Sequence, residues 1–250
     1  MDASGRRANE VTSYLFDPSH WNIATQGNIP LLIVQHLGFS FLAVAVATAI
    51  ALPIGLYIGH TGRFIFVAVN AANAGRSLPT LGLIILLVTL FGLGLMPVLV
   101  ALVILAIPPI LTSTFAGLRA VDRAVIDAAK GMGLRPMQIL FRVEIPNALP
   151  LISSGLRNAL LQVVATATVA AYVGFGGLGR LLVDGLALND YPRMVAGAVL
   201  VAALAIVLDL LAALVQNLIV SPGVSGRALT RKSKKTVPSP NATTPVRSAG

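Results

Sequence analysis

The chain carries few side chains that could bind a metal or attack a substrate. Its 250 residues include no cysteine, nine aspartates and glutamates, and three histidines, His20, His36 and His60, which lie far apart. Thiolate chemistry, disulfides and Cys/His zinc clusters are therefore excluded, and no group of histidines and carboxylates is spaced as a catalytic set. We expect no catalytic residue, no metal and no cofactor on this chain.

Residues 174–179, GFGGLG, fit the spacing G-x-G-x-x-G of dinucleotide-binding loops. That pattern indicates a dinucleotide site only after a soluble strand and within a βαβ unit, whereas here it follows a long apolar segment. We interpret residues 174–188 as a glycine-rich loop, with Gly176 and Gly177 as candidate gate residues. The P-loop pattern G-x-x-x-x-G-K-[ST] does not occur in the chain, so we expect no ATP binding through a P-loop.

Polar residues inside apolar segments are the remaining candidates for function. Arg76 and Asp209 each lie near the middle of such a segment. An unpaired charge there costs at least about 2.5 kcal/mol, so both side chains should face protein or water. Either residue could border a transport path, or it could only anchor a helix end or pair two helices. The other candidates for the path are Asn73, Pro79, Gln162, Thr166 and Tyr172.

The composition places these residues in a membrane. Of all residues 56% are hydrophobic and only 11% are charged, and the mean hydropathy is +0.86. Soluble domains have about 25% charged residues. Residues 77–118 contain no charged side chain, although about 20 apolar residues suffice for one span. We predict an all-α, polytopic membrane protein with about five transmembrane helices, at 31–58, 64–91, 98–118, 150–173 and 194–220.

Two of the predicted spans have features that define their shape. Segment 64–91 would be about 42 Å long as a helix, more than the roughly 30 Å hydrocarbon core requires, so it should be tilted, kinked at Pro79 or broken. In the first span, Gly55 and Gly59 have the small-residue spacing that lets two helices approach closely.

The positive charges are unevenly distributed along the chain. If five spans alternate across the membrane, the 59–63 link, the 119–147 loop and the tail carry twelve Lys and Arg residues, and the opposite side carries four. The positive-inside rule then makes the first side cytoplasmic. This rule and contact with anionic lipid explain the net charge of +9, so nucleic acid is not expected as a partner.

The chain divides into three parts by composition. Residues 1–30 are mixed in character, do not resemble a signal peptide, and are expected to be extracytoplasmic or interfacial. Residues 31–220 form the transmembrane domain. Residues 221–250 are basic and rich in Ser, Thr and Pro, without apolar periodicity, so we expect a disordered cytoplasmic tail.

The loop between the third and fourth spans is divided by glycine and proline into two short helices. Asp122 can cap a helix over 123–130, Gly131 and Gly133 can end it, and Pro136 can open a second helix. An ordinary connecting loop does not need this internal division. Two short helices on a cytoplasmic loop are suited to packing against another protein.

Three further residues of this loop sharpen that prediction. Ala128 and Ala129 offer a low surface for close packing. Pro146 should break the chain before the fourth span, because proline lacks the amide hydrogen that a continuing helix needs. The segment 127–146 is therefore a polar island in an apolar chain, and we interpret it as a docking surface.

The island also resembles a known motif. DAA at 127–129, Gly133 and VEIP at 143–146 resemble the EAA loop of type I ABC importer permeases, whose pattern is E-A-A, glycine after three residues and I-x-L-P after nine more. The spacing is intact, and Asp127, Val143 and Ile145 replace the usual Glu, Ile and Leu. The resemblance implies coupling helices that sit in a cleft of a separate ATP-hydrolysing subunit. By the same resemblance, the coupling residues are Asp127, Ala128, Ala129, Gly131, Gly133 and Pro146.

The likeness extends over about residues 35–211. The passages 73–79, 162–168, 171–179 and 204–209 look like the permease branch that imports glycine betaine, choline, carnitine and related osmoprotectants. Such a subunit resides in a prokaryotic plasma membrane. The resemblance implies as partners a second copy or a related permease, two ATP-binding cassette subunits that bind the ATP, and an extracytoplasmic substrate-binding protein.

Other functions compete with this interpretation. The chain could be an ABC permease for another small solute, such as an amino acid. An ion-coupled secondary transporter would use Arg76 and Asp209 and would need no partner ATPase, but no inverted repeat is evident. A membrane enzyme comes third, since no clustered set of reactive side chains is present.

Overall fold

The computed structural model of the protein describes residues 3–23 and 27–219, and the predicted disordered tail lies outside them. Within these ranges the regular structure is helical, without a β-strand, which confirms the all-α prediction. The helices are α1 Ala3–Phe16, α2 Pro18–Trp21, α3 Ile29–Thr61, α4 Ile65–Ser77, α5 Thr80–Phe91, α6 Leu95–Arg119, α7 Arg123–Gly131, α8 Pro136–Ile139, α9 Ile145–Val169, α10 Gly179–Leu188 and α11 Tyr191–Ile219. A π-helical turn, Leu140–Glu144, joins α8 to α9, and a 3-10 turn, Ala170–Val173, follows α9.

The predicted five spans agree with the helices. By length and composition, α3, α6, the helical run Pro136–Val173 and α11 can each cross a membrane. The pair α4 and α5 is apolar enough to make a fifth span when its two helices are counted together, and they meet at a bend of 88° beside Pro79. The predicted break in this overlong segment is therefore confirmed.

Helix α6 lies at the centre of the bundle and packs against α3 and α9. Small residues bring the backbones together: a Cβ added to Gly55 would lie 2.7 Å from Thr114 Cβ, and one added to Gly59 would lie 2.8 Å from Leu118 Cβ. Both positions therefore require glycine if the packing is kept. The close helix approach predicted from the Gly-x-x-x-Gly spacing is confirmed.

Two loop predictions are wrong. Residues 179–188 form helix α10 rather than continuing the glycine-rich loop, because Leu178 and Leu181 are spaced to bury one helical face against Ile29 and Leu32 of α3. The density of glycines before Gly179 concealed this apolar spacing.

Pro146 does not break the chain. It lies in the first turn of α9, where a missing amide hydrogen is tolerated. The preceding turn is wide, since the Ile145 amide donates to the Leu140 carbonyl five residues earlier. Helix therefore runs from Pro136 through to Val173, and the short second helix of the loop is continuous with the fourth span.

The N-terminal segment is more ordered than its composition indicates. Helix α1 packs against α11, and Trp21 Nε1 donates a hydrogen bond to the Leu15 carbonyl at 2.6 Å. Asp17 Oδ1 accepts from the Ser19 amide at 2.9 Å and caps α2. This amide hydrogen bond lowers the pKa of the Asp17 carboxyl.

Candidate functional site

The loop between α6 and α9 has the two-helix form expected from its sequence. Asp122 Oδ1 accepts a hydrogen bond from the Ala124 amide at 2.9 Å, as an N-cap of α7 should. Helix α7 ends at Gly131, and Gly133 then turns the chain with φ of +80°. Such a φ is strained for residues with a side chain, so Gly133 fits this turn. Pro136 begins α8, as predicted.

The side chains of α7 divide into an outer and an inner face. Asp127 and Ala128 are exposed, and Asp127 Oδ1 lies 3.1 Å from Lys130 Nζ in an ion pair that is itself exposed. Ala129 is only 1% exposed, so its side chain faces the protein interior. The expectation that Ala128 and Ala129 share one docking surface is therefore wrong. Residues 126 and 129 are three apart and fall on the inward face of the helix.

An open cavity of about 710 Å³ lies beside α7, along the side of the helix that carries Ile126, Asp127 and Lys130. The ends of α3 and α6, both loop helices and the π-helical turn contribute to its wall. Its charged lining groups are the bases Arg119, Arg123 and Lys130 and the acids Asp127 and Glu144, and His60 at the end of α3 also lines it.

The two residues at the floor of this region form a direct contact. His60 Nδ1 lies 2.6 Å from Glu144 Oε2. The Glu144 side chain is 7% exposed and that of His60 is 20% exposed. Because the residues are 84 positions apart in the sequence, neither spacing nor local pattern could have paired them. The contact joins the last turn of α3 to the π-helical turn before α9.

The break between α4 and α5 positions the first group of path candidates. Arg76 lies in the last turn of α4, beside Pro79, and its Nη2 donates to Thr112 Oγ1 of α6 at 2.9 Å. Asn73 is one turn earlier, and both Asn73 and Arg76 are exposed. Arg76 therefore marks a broken helix end that is tied to the central helix.

Asp209 occupies a different place. Its two carboxylate oxygens accept from Arg157 Nε at 2.5 Å and Arg157 Nη2 at 2.6 Å, a bidentate ion pair between α11 and α9. This geometry favours the helix-pairing alternative for Asp209. The sequence did not indicate Arg157 as its partner, since 52 positions separate them.

The remaining path candidates follow α9 toward its end. Gln162 is exposed, Thr166 is buried in α9, and Tyr172 is exposed in the 3-10 turn. The candidates as a whole therefore lie on several elements: α4, the break after it, α9, the turn and loop that follow α9, and α11.

The loop carrying Gly176 and Gly177 is held against the beginning of α3. The Gly177 amide donates to Gln35 Oε1 at 3.2 Å, and the buried His36 places Nε2 3.0 Å from the Val164 carbonyl of α9. Gly177 has φ of +88°, and a Cβ added there would lie 3.1 Å from His36 Nδ1. Sequence reasoning missed Gln35 and His36 as partners of this loop.

Residues 51–220 match the family model described as binding-protein-dependent transport system inner membrane component. The chain belongs to this family. It is therefore a multi-pass membrane subunit of an ABC importer, and it works with ATPase subunits. The first hypothesis from the sequence is confirmed at this level.

Individual relatives match most of the chain. The carnitine transport permease protein OpuCD of Listeria monocytogenes is 35% identical over 178 residues, 71% of this chain and 80% of that protein. The glycine betaine/carnitine/choline transport system permease protein OpuCB of Bacillus subtilis is 31% identical, over 77% and 88%. The osmoprotectant import permease protein OsmW of Salmonella typhimurium is 32% identical, over 83% and 99%.

The fold also matches a solved transporter. An inward-facing structure of the MetNI methionine ABC transporter aligns with a TM-score of 0.70, over 82% of this chain and 99% of that one. At 22% identity this likeness describes the fold alone. The permease fold is thus supported by the family match and by the arrangement of helices.

Proposed function

We propose that this permease imports small quaternary ammonium osmoprotectants, of the class that includes glycine betaine, carnitine and choline. The observation that carries the proposal is the likeness of about three-quarters of the chain to permeases named for those solutes, at 31% to 35% identity. The resemblance of passages on α4, α9 and α11 to the same branch supports it.

The transporter would contain two ATP-binding cassette subunits, a second copy of this permease or a related chain, and an extracytoplasmic binding protein. ATP would be bound and hydrolysed on the cassette subunits. The loop 119–147 would face the cytoplasm, as its excess of positive charge indicates. Its outer face, with Asp127 and Ala128, would contact a cassette subunit, while Gly131, Gly133 and Pro146 shape the chain around it.

Substrate would reach the membrane domain at the opposite end of the bundle. The loop with Gly176 and Gly177, beside Tyr172, would lie there and act as a gate. Arg76 and Asn73, at the α4 break, would border the path between the paired permeases, because a charged side chain at an exposed helix end needs a polar neighbour in the membrane. Asp209 is paired with Arg157 and would contribute to helix packing.

The test is transport by the purified complex in proteoliposomes. The permease is co-expressed with a candidate cassette ATPase and reconstituted with the binding protein. Uptake of radiolabelled glycine betaine, carnitine and choline is then measured with ATP and with a non-hydrolysable analogue. We expect ATP-dependent uptake of at least one of the three, and competition by the other members of the class.

Two outcomes would refute the proposal. Uptake of a labelled amino acid such as methionine, without uptake of any quaternary amine, would assign the chain to another solute. Uptake that needs no ATPase and collapses when an ion gradient is dissipated would point to secondary transport.

A further inference from the structure

We propose that His60 and Glu144 are positioning residues that transmit movement of the coupling loop to α3. This inference rests on the proposed function, because it concerns how ATP hydrolysis on a partner is converted into transport. Its basis is the contact of 2.6 Å between His60 Nδ1 and Glu144 Oε2.

The contact lies where the loop first becomes continuous with a membrane helix. Glu144 is the last residue of the π-helical turn, and α9 begins at Ile145. A π turn has a wider hydrogen-bond ring than the α-helix and often marks a functional position within a helix. A push on α7 and α8 therefore reaches Glu144 before it reaches the body of α9.

The burial of Glu144 makes the contact strong. A carboxylate withdrawn from water is stable only when a hydrogen-bonding or charged partner compensates for the lost solvation. His60 supplies that partner, and Glu144 is 93% buried as a side chain, since it is 7% exposed. The Asp127–Lys130 pair on the outer face, by contrast, is mostly in solvent and can separate at little cost.

Helix α3 can carry the displacement across the membrane. It is one helix of 33 residues, with Pro53 inside it, and spans about 50 Å. At its far end, Gln35 and His36 contact the Gly177 loop and the Val164 carbonyl. A single helix thus joins the coupling loop, through His60, to the candidate gate.

Close packing prevents α3 from absorbing the movement by bending away. Gly55 and Gly59 place its backbone directly on Thr114 and Leu118 of α6. Protein interiors packed at this density pass strain on rather than dissipate it in free volume. The cavity of about 710 Å³ that His60 and Glu144 line together with both loop helices leaves room for those helices to move.

The test compares substrate imported with ATP hydrolysed in the same proteoliposomes, using the full complex with its binding protein. The variants are His60→Ala, Glu144→Ala, Glu144→Gln and the double variant His60→Ala/Glu144→Ala. We expect each single alanine variant to lower substrate imported per ATP about fivefold or more, within the ordinary range of coupling between sites. ATP hydrolysis should persist, and Glu144→Gln, which keeps an acceptor oxygen, should retain most of the coupling.

The double variant separates transmission from simple stability. It leaves no buried charge without a partner, so it should assemble even if a single variant accumulates poorly. We expect it to be as uncoupled as the worse single variant, because both act on one contact. His20→Ala is the matched control, a histidine outside the coupling loop whose Nδ1 lies 2.9 Å from the Tyr14 carbonyl, and should leave coupling unchanged.

Three results would overturn the inference. If the double variant imports as much substrate per ATP as the wild type, the pair only compensates for the burial of the Glu144 carboxylate and does not transmit movement. Equal losses of import and of ATP hydrolysis would indicate a folding defect. An unchanged ratio of substrate to ATP in both single alanine variants would mean that His60 and Glu144 have no role in coupling. Failure of the wild-type complex to import a quaternary amine would instead count against the proposed function.

Discussion

The two ends of α3 are held in different ways. Near α7, His60 meets Glu144 in a single side-chain contact beside a large cavity. At the other end, Gln35 and His36 contact backbone atoms, and the Gly177 loop approaches so closely that a Cβ would lie 3.1 Å from His36 Nδ1. The first end is joined to the coupling loop through one side-chain contact, whereas the second end is joined to the Gly177 loop by hydrogen bonding and close packing. A helix held in this way can receive movement at one end and deliver it at the other.

The largest expected effect comes from adding a side-chain atom at Gly177, where the loop packs against the beginning of α3. Gly177→Ala adds a Cβ against His36 at φ of +88°, and strain of this kind costs of order 1–3 kcal/mol before the contact is counted. Gly174→Ala is the matched control, because Gly174 has φ of +79° but nothing within 4 Å of the added atom. We expect Gly177→Ala to lower the unfolding temperature of the purified permease, and to reduce substrate import, more than Gly174→Ala does. Equal effects of the two variants would show that packing on His36 is unimportant.

Structural features that depend only on residues close in the sequence could be predicted. The N-cap Asp122 and the start of α8 at Pro136 follow from side chains a few positions away. The spans follow from length and hydropathy. The contacts that define the two ends of α3 were not predictable, since Glu144 is 84 positions from His60 and Gly177 is 142 from Gln35.

The errors at Pro146 and at Ala128 and Ala129 have a different cause. In both cases the local sequence pattern was real but did not by itself determine the structure. Pro146 indicated a break, and only the hydrogen bond from Ile145 to Leu140 explains why helix continues through it. Ala128 and Ala129 were taken together because both are small. Sequence alone did not show which face of α7 would be covered, and burial of Ala129 decides it.

The next largest effect distinguishes the buried face of α7 from its exposed face. Ala129→Arg places a long cation at a position that is 1% exposed, so it should destabilise the packing of α7 by about 2 kcal/mol or more. Ala128→Arg changes an exposed position and should leave the unfolding temperature nearly unchanged while weakening co-purification with the cassette ATPase. Thermal unfolding and pull-down yields measure the two effects. If Ala128→Arg binds the ATPase normally, the outer face is not the docking surface.

A third variant tests whether another polar contact between membrane helices, the half-buried pair of Arg157 and Asp209, would behave like His60 and Glu144. Asp209→Ala leaves Arg157 without its bidentate partner between α9 and α11. We expect a lower unfolding temperature, because an unpaired charge in a membrane bundle is unfavourable, but an unchanged ratio of substrate to ATP. The double variant Arg157→Ala/Asp209→Ala should recover part of the stability. Uncoupling by Asp209→Ala would remove the distinction between the two pairs.

The smallest stability effect is expected at Asp127, where this chain departs from the glutamate of the EAA pattern. Its pair with Lys130 is exposed on both sides, with side chains 70% and 63% accessible, so Asp127→Ala should change the free energy of unfolding by less than about 1 kcal/mol. If the carboxylate contacts a cassette subunit, import should nevertheless fall, and Asp127→Glu should restore it by reaching the same partner. Lys130→Ala is the control. Lys130→Ala removes the ion pair but keeps the Asp127 carboxylate. If it lowers import as much as Asp127→Ala does, the effect comes from the ion pair within α7 and not from a contact with the partner subunit.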